Sequence, residues 1–379
     1  MTIKTKGNHS LLEKRSRLRV LLLASGDLWA GAEVMFYQLV SGLIATEEVD
    51  LLIVLMNRGR IANELARLDA SVFIIDESKS SFVQSIALLR KAVKDFAPDI
   101  IHSHRYKENI LAWCAAFGAT RCRLVATQHG MPETVGIMTT KEWLRNNLFF
   151  RALSFGFKRT VVVSEEMRRS LMGRYGFTRK DVIVIHNGIC IPERVISFPG
   201  ARLVVGSAGR LFPVKDFSLF VDVARVVVQQ GEHIDFVLAG DGPELNMLRE
   251  KVKRHGMEER FTFLGQQENM ASFYEGLGVY INTSKHEGIP MSVLEAMSYG
   301  LPIVAPKVGG FPEVLDQGVH GFLVEDRDPD TFAQYILRLS NFEERRRMGQ
   351  AARERAIASF SQETMVQRYL QLYNKLSRR

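Results

Sequence analysis

Short runs of valine, isoleucine and leucine alternate with helical patterns along almost the whole chain, and this alternation constrains the fold more than any other feature. The first series is Arg19–Ala24, Leu51–Leu55, Val72–Ile75, Ile100–His102, Leu124–Thr127, Thr160–Val163 and Val182–Ile185. The second is Arg202–Ser207, Ile234–Ala239, Phe261–Leu264, Val279–Asn282, Pro302–Ala305 and Gly321–Val324. Within each run the apolar residues are continuous, which is the pattern of parallel strands buried on both faces. Strands separated by helices imply βαβ units and doubly wound sheets. The series breaks where Pro192 and Pro199 flank a polar, irregular stretch. At 379 residues the chain also exceeds what one ordinary core serves.

The spacing therefore predicts an α/β protein of two Rossmann-like domains, each a doubly wound parallel sheet, facing a cleft. The first domain spans residues 17–187, a linker 188–201 and the second domain 202–360. A helical tail follows, and its last helix, 361–379, can pack back on the first domain. Residues 1–16 are polar, basic and aperiodic, so disorder is expected there. In open α/β sheets ligands bind outside the carboxyl ends of the strands, and both domains should present those ends to the cleft.

The composition, 46% hydrophobic and 24% charged, is that of a soluble globular protein. No apolar run reaches the roughly 20 residues that cross a bilayer. Arg17-Leu18-Arg19 before Val20–Ala24 resembles a signal peptide superficially, but the apolar core is short and a first buried strand is the better reading. Three widely spaced cysteines, Cys114, Cys122 and Cys190, argue against a disulfide framework and fit a reducing cytoplasm. The net charge of +8 calls for a partner or substrate with negative charge. Nucleic acid, a membrane surface and a phosphorylated small molecule all qualify, but no nucleic-acid-binding motif is present.

The stretch TSKHEGIPMSVLEAMSYGLPIVAPKVGG, residues 283–310, carries two glutamates, Glu287 and Glu295, on either side of a Gly-Ile-Pro break. Pro290 suits the first position of a helix that Gly300 ends. The loop Glu287-Gly288-Ile289 would then lie against free backbone N–H groups, a ready phosphate site. Glu295, one turn in, could bond a ribose diol beside that phosphate, and Glu287 could face what the phosphate carries. Two such glutamates are ordinarily solvated surface, but Glu295 sits among Val293, Leu294, Ala296 and Met297, where an unexplained carboxylate is expensive. Upstream, Ser207-Ala208-Gly209-Arg210-Leu211-Phe212-Pro213-Val214-Lys215-Asp216 ends a strand with a tight turn and two cations. Arg210 and Lys215 can neutralise a departing diphosphate without a metal. As isolated residues they could equally be surface cations.

Taken in order, Arg210…Lys215, Gly240-Asp241-Gly242-Pro243, Glu287-x7-Glu295 and Val308-Gly309-Gly310-x-x-Glu313 resemble family 4 glycosyltransferases of the GT-B architecture. The resemblance spans about residues 18–370 and is strongest over 203–325. It implies retaining transfer from a nucleoside diphosphate sugar, more often a UDP-sugar, to a glycan or lipid-linked acceptor, without cofactor or essential metal. By resemblance, Arg210 and Lys215 hold the diphosphate, Glu295 the ribose and Glu287 the donor sugar. Gly288, Ile289, Gly309 and Gly310 complete the donor side, while Gly31 of the first domain approaches the phosphates and His129 lies beside the reacting sugar. Bacterial cell-surface polysaccharide or lipopolysaccharide synthesis is the implied setting. The chain departs from the common pattern in having one glycine, Gly31, in its first loop, Cys190 after Asn187-Gly188-Ile189, Ile289-Pro290 for Phe-Gly, and Asp216 for Gly. A GT-B epimerase, which needs no acceptor, and a non-catalytic nucleotide-sugar-binding protein are the rival readings.

Weaker signals have plainer explanations. His102 and His104 share a strand face, and with no third ligand apparent His104 is read as an acceptor-side cleft residue, not as a metal ligand. Asp326-Arg327-Asp328 spells a metal-binding DxD, but before Pro329 it reads as a loop and helix cap. Gly26-x4-Gly31 lacks the Lys-Ser/Thr of a phosphate loop, and no intact dinucleotide fingerprint appears. Residues 141–159, KEWLRNNLFFRALSFGFKR, could lie on an anionic membrane surface, placing the protein peripherally on the inner face of the membrane. A helix packed into the first-domain core accounts for the same pattern.

Overall fold

The computed structural model describes residues 17–27, 29–118, 122–130, 140–193 and 202–377. The expected disordered tail and residues 194–201 of the expected linker lie outside the described residues. The first sheet comprises β1 (Leu18–Ala24), β2 (Val49–Leu55), β3 (Val72–Ile74), β4 (Ile100–His104), β5 (Arg123–Gln128), β6 (Arg159–Val162) and β7 (Val182–Val184). Its strand order is β3-β2-β1-β4-β5-β6-β7. The second comprises β8 (Leu203–Ala208), β9 (Ile234–Ala239), β10 (Phe261–Gly265), β11 (Val279–Ile281), β12 (Ile303–Pro306) and β13 (Gly321–Val324), in the order β10-β9-β8-β11-β12-β13. Every pairing is parallel. Each apolar run of the sequence is one of these strands. The strand order reverses beside β1 and β4 in one sheet and beside β8 and β11 in the other, which are the topological switch points where ligands bind.

Two strands run further than their apolar residues do. β4 continues through Ser103 to His104 and β5 through Gln128, all buried. His102 and Ser103 are tolerated because they bond their neighbours: His102 Nε2 lies 2.7 Å from Thr127 Oγ1, and Ser103 Oγ donates to Asn109 Oδ1 at 2.7 Å, whereas His104 Nε2 and Gln128 Nε2 are left without a partner.

The tail forms helices Pro329–Arg338, Phe342–Phe360 and Gln362–Ser377. Asp328 caps the first, accepting from the Thr331 N–H at 2.9 Å, which settles the DxD stretch as a cap. The last helix returns to the first domain. Gln362 donates to the Gln38 carbonyl and lies 2.7 Å from both that oxygen and Ser41 Oγ, while Tyr373 and Tyr369 reach His102 and Thr127 inside the first sheet's core. Met35, Leu39, Val293, Met297, Met365 and Tyr369 belong to one continuous apolar cluster, so burial ties the two domains together. Among the described residues no helix is long and apolar enough to cross a membrane.

Candidate active site

A cleft of about 1140 Å³ lies between the domains. Its walls are built from the carboxyl ends of the strands: the loops after β1, β4 and β5 on one side, and those after β8, β9, β10 and β11 on the other. Gly31, His129, Arg210, Lys215, Glu287, Gly288, Ile289 and Glu295 all line it.

On the second domain the cleft ends at helix Met291–Ser298. Pro290 is the cap residue, with φ −74° and ψ 123°, one position before the helical site expected for it. The N–H groups of Gly288, Ile289, Met291 and Ser292 have no protein acceptor among the described residues. This is the free-donor end that an anion needs. Glu287 accepts from Ser284 Oγ at 2.7 Å and forms an ion pair with Lys215 Nζ. Gly309 and Gly310 do not line the cleft. They lie behind the loop, where a Cβ on either would overlap the Glu287 or Gly288 carbonyl oxygen, so they buttress it.

Glu295 is half-buried and accepts from the Tyr274 hydroxyl at 2.6 Å. Burial raises its pKa, opposed by the Tyr274 bond. One carboxylate oxygen is thus fixed while the side chain still borders the cleft. Arg210 is exposed, stacked over Phe212 at 5.1 Å, and has no carboxylate partner among the described residues. Asp216 adopts φ +48°, in the left-handed region that favours glycine. Arg327 explains why an aspartate stands there. Its guanidinium pairs with Asp216 Oδ2 at 2.6 Å and donates to the Thr283 and Ser284 carbonyls at 2.8 Å, bracing the loop that leads to Glu287.

From the first domain, Gly31 opens helix Gly31–Thr46, and a Cβ on it would meet Met291 Cγ at 3.5 Å, an ordinary contact across the cleft. His129 is half-buried, with Nε2 3.0 Å from Nδ1 of His104. His104 does not line the cleft. It is buried behind His129 and against Phe36, and its Nε2 has no partner. A buried N–H without an acceptor is rarer than a buried acceptor without a donor. The His104 proton therefore sits on Nδ1 and is donated to His129 Nε2, which leaves the His129 proton on Nδ1. Burial, aided by Arg105, lowers the His129 pKa to about 3, so the ring is a neutral donor at neutral pH. Among the described residues no group of acidic, histidine and cysteine side chains could hold a metal.

Charge divides the cleft. Arg60, Arg105 and Arg145 line its first-domain side, and among the described residues no carboxylate from that domain does. Asp241, Glu268, Glu287 and Glu295 all come from the second domain. Three interdomain contacts close the frame. Asn187 Nδ2 donates to the Ile289 carbonyl at 2.9 Å. A Cβ on Gly288 would lie 3.0 Å from the His129 carbonyl oxygen. Glu313 accepts from the Glu165 and Glu166 N–H groups at 2.8 and 3.1 Å and from His186 Nε2 at 3.2 Å.

Two family models cover this frame: Glycosyltransferase Family 4 over residues 29–191 and Glycosyl transferases group 1 over residues 193–355. The chain is also 30% identical to N-acetyl-alpha-D-glucosaminyl L-malate synthase of Bacillus anthracis, over 73% of this chain and 74% of that protein. The chain belongs to glycosyltransferase family 4. This glycosyltransferase is 24% identical to the UDP-Gal:alpha-D-GlcNAc-diphosphoundecaprenol alpha-1,3-galactosyltransferase of Escherichia coli, over 77% of this chain and 79% of that one. Its GT-B fold matches that of HepE from Anabaena in complex with UDP-glucose, with TM-score 0.82, 20% identity and coverage of 95% and 100% of the two chains.

Sequence reasoning passed over several of the residues that shape the glycosyltransferase site. Glu313 was legible only as part of a glycine motif, and its partners lie in the other domain. Arg60 and Arg105 carry no local signature, Arg145 stood out only within the basic, aromatic stretch 141–159, and only folding brings the three to one wall. Tyr274 gave no signal because its partner, Glu295, is 21 residues away.

Proposed function

We propose that this glycosyltransferase moves a sugar, with retention, from a nucleoside diphosphate sugar, UDP-linked in preference, to a glycan or lipid-linked acceptor, without an essential metal. The observation that carries the reading is the convergence of Arg210, Lys215 and four unbonded N–H groups at the end of a helix that also presents Glu295. Positive charge and N–H donors suit the diphosphate, and a carboxylate fixed by Tyr274 suits the ribose hydroxyls. The pairing of Lys215 with Glu287 sets the cation for the leaving group beside the carboxylate for the sugar. In the reaction the anomeric carbon–oxygen bond to phosphate breaks, the acceptor oxygen bonds the same face, and the leaving phosphate oxygen takes the acceptor proton. His129, neutral and a donor, steadies the sugar and does not act as base. The names of the Escherichia coli relative and of the Anabaena complex support UDP and a lipid-linked acceptor.

Cell-surface polysaccharide or lipopolysaccharide synthesis on the cytoplasmic face of a membrane is the setting we propose. It is supported by helix Thr140–Gly156, which buries Phe149, Phe150 and Leu153 and leaves Leu144, Leu148 and Phe155 exposed. The side chains of residues 141–143 and 152 lie outside the described residues. Co-sedimentation with phosphatidylglycerol vesicles tests this placement.

Thermal unfolding with UDP and with GDP, in EDTA, tests the donor site. A nucleotide at 100 times its Kd adds about 2.7 kcal/mol, a shift of several degrees. Arg210→Ala and Lys215→Ala should abolish that shift and lower turnover by on the order of 10²–10³. Turnover within threefold of wild type in both variants would reject the diphosphate clamp.

A further inference from the structure

We infer that the acceptor carries an anionic group close to its reacting hydroxyl, of the phosphate, diphosphate or carboxylate class, held by Arg60, Arg105 and Arg145. The inference rests on the donor reading above, because it assigns the opposite wall of the same cleft. The three residues line that wall, and among the described residues no carboxylate from their own domain joins them there. They come from three separate elements. Arg60 begins the helix after β2, Arg105 follows β4, and Arg145 lies in the helix Thr140–Gly156.

Each is positioned, not merely present. Arg105 forms an ion pair at 2.5 Å with Glu33, a carboxylate buried behind it, and its backbone holds φ +74°. Arg60 lies over the Trp29 ring at 4.8 Å, with a looser ion pair to Glu64 at 3.6 Å. Arg145 has no acidic partner among the described residues. Arg105 and Arg145 flank one aromatic contact: Tyr106, next in sequence to Arg105, meets Phe149, one helical turn from Arg145, with ring centroids 3.8 Å apart. Glu33 offsets much of the Arg105 charge, while Arg60, loosely paired, and Arg145 leave net positive charge on one wall of a concave site, which focuses a positive potential. A guanidinium fork matches carboxylate and phosphate oxygens in pairs, so an anion meets that charge and is oriented by it. The donor diphosphate does not need this wall, since Arg210, Lys215 and the helix end face it from the other domain. A neutral glycan would gain little from three arginines.

The test saturates the donor site with UDP and titrates inorganic pyrophosphate, then L-malate, then glycerol, reading the unfolding midpoint. Saturation with UDP keeps the probes out of the donor site. A further upward shift with pyrophosphate assigns a diphosphate-linked acceptor, and one with malate assigns a carboxylate. In either case Arg145→Gln should weaken the probe by roughly 10–100-fold, the effect of losing one bond to a charged group, and leave UDP binding unchanged. Arg105→Gln should do the same. Arg145, exposed and without an acidic partner among the described residues, guards against the case in which Arg105→Gln disturbs folding through Glu33. If neither anion shifts the midpoint beyond glycerol while UDP is bound, the inference is overturned. It is also overturned if the arginine variants weaken UDP and leave the probes unaffected. A protein that UDP itself fails to stabilise refutes the donor reading instead, and an anion shift that still responds to Arg145→Gln would then stand independently of it.

Discussion

Glu313→Ala removes a clasp between the domains whose strength follows from its contacts. The carboxylate takes two N–H groups at the start of helix Glu165–Tyr175 and the His186 ring, and its side chain is 15% exposed. A hydrogen bond to a charged group contributes about 1.5–3 kcal/mol, and a carboxylate at a helix N-terminus about 0.3–1 kcal/mol more. Solvent can recover part of this once the carboxylate is gone, so a net loss of about 2–3 kcal/mol is expected. At this chain length that lowers the unfolding midpoint by roughly 2–4 °C. The sign with pH is fixed by the direction of the shift. Burial raises the Glu313 pKa, but the bonds from His186, Glu165 and Glu166 outweigh it and leave it below the ordinary 4.5. The clasp is therefore complete above about pH 4.5 and is lost as pH falls through the folded value. Thermal unfolding of wild type and variant at pH 7 and at pH 3.5 should show a difference that shrinks at the lower pH. The frame of the cleft also depends on this contact, so the donor KM should rise in the variant. A variant within 1 °C of wild type at pH 7, or a difference unchanged at pH 3.5, would refute the reasoning.

Asp216→Gly relieves a left-handed backbone, about 1 kcal/mol, but loses the Arg327 ion pair, so its stability should stay within about 1 kcal/mol of wild type. Asp216→Ala loses the pair and keeps the strain, and urea unfolding should place it about 1–2 kcal/mol below Asp216→Gly; equal stabilities would show that the backbone is not strained. Glu108, 3% exposed near the start of helix Tyr106–Ala116, has its pKa raised by burial to about 7. Its contribution is full below about pH 4.5 and is lost as pH rises through about 7. Relative to wild type, Glu108→Gln should gain on the order of 1–3 kcal/mol between pH 4.5 and pH 8. A difference that does not change between those two pH values would show that Glu108 keeps an ordinary pKa.

The two sheets were legible because burial on both faces writes itself locally as an unbroken apolar run. Each of those runs is a strand, and the break near Pro192 separates the sheets. Where a strand continues in polar residues the local signal stops early: His104 and Gln128 complete β4 and β5, and the polar residues of β4 find remote partners, such as Tyr373 for His102, 271 residues away, and His129 for His104. The donor side of the cleft was legible for a similar reason, since its residues gather in two contiguous stretches, 207–216 and 283–310, with a helix end between them and the ligand. Even there a local reading fails where a second, remote residue sets the geometry. Asp216 is an oddity in sequence until Arg327 is seen pairing with it, and Gly309 and Gly310 read as ligand-facing until the Glu287 loop is seen resting on them. The first-domain wall is the extreme case. Arg60, Arg105 and Arg145 are spread over 86 positions of sequence, and each alone is an ordinary surface cation. Only the parallel topology, which delivers the strands' carboxyl ends to one cleft, sets them on one wall. On the proposed reading, specificity for the acceptor therefore belongs to the part of this chain that its sequence conceals best.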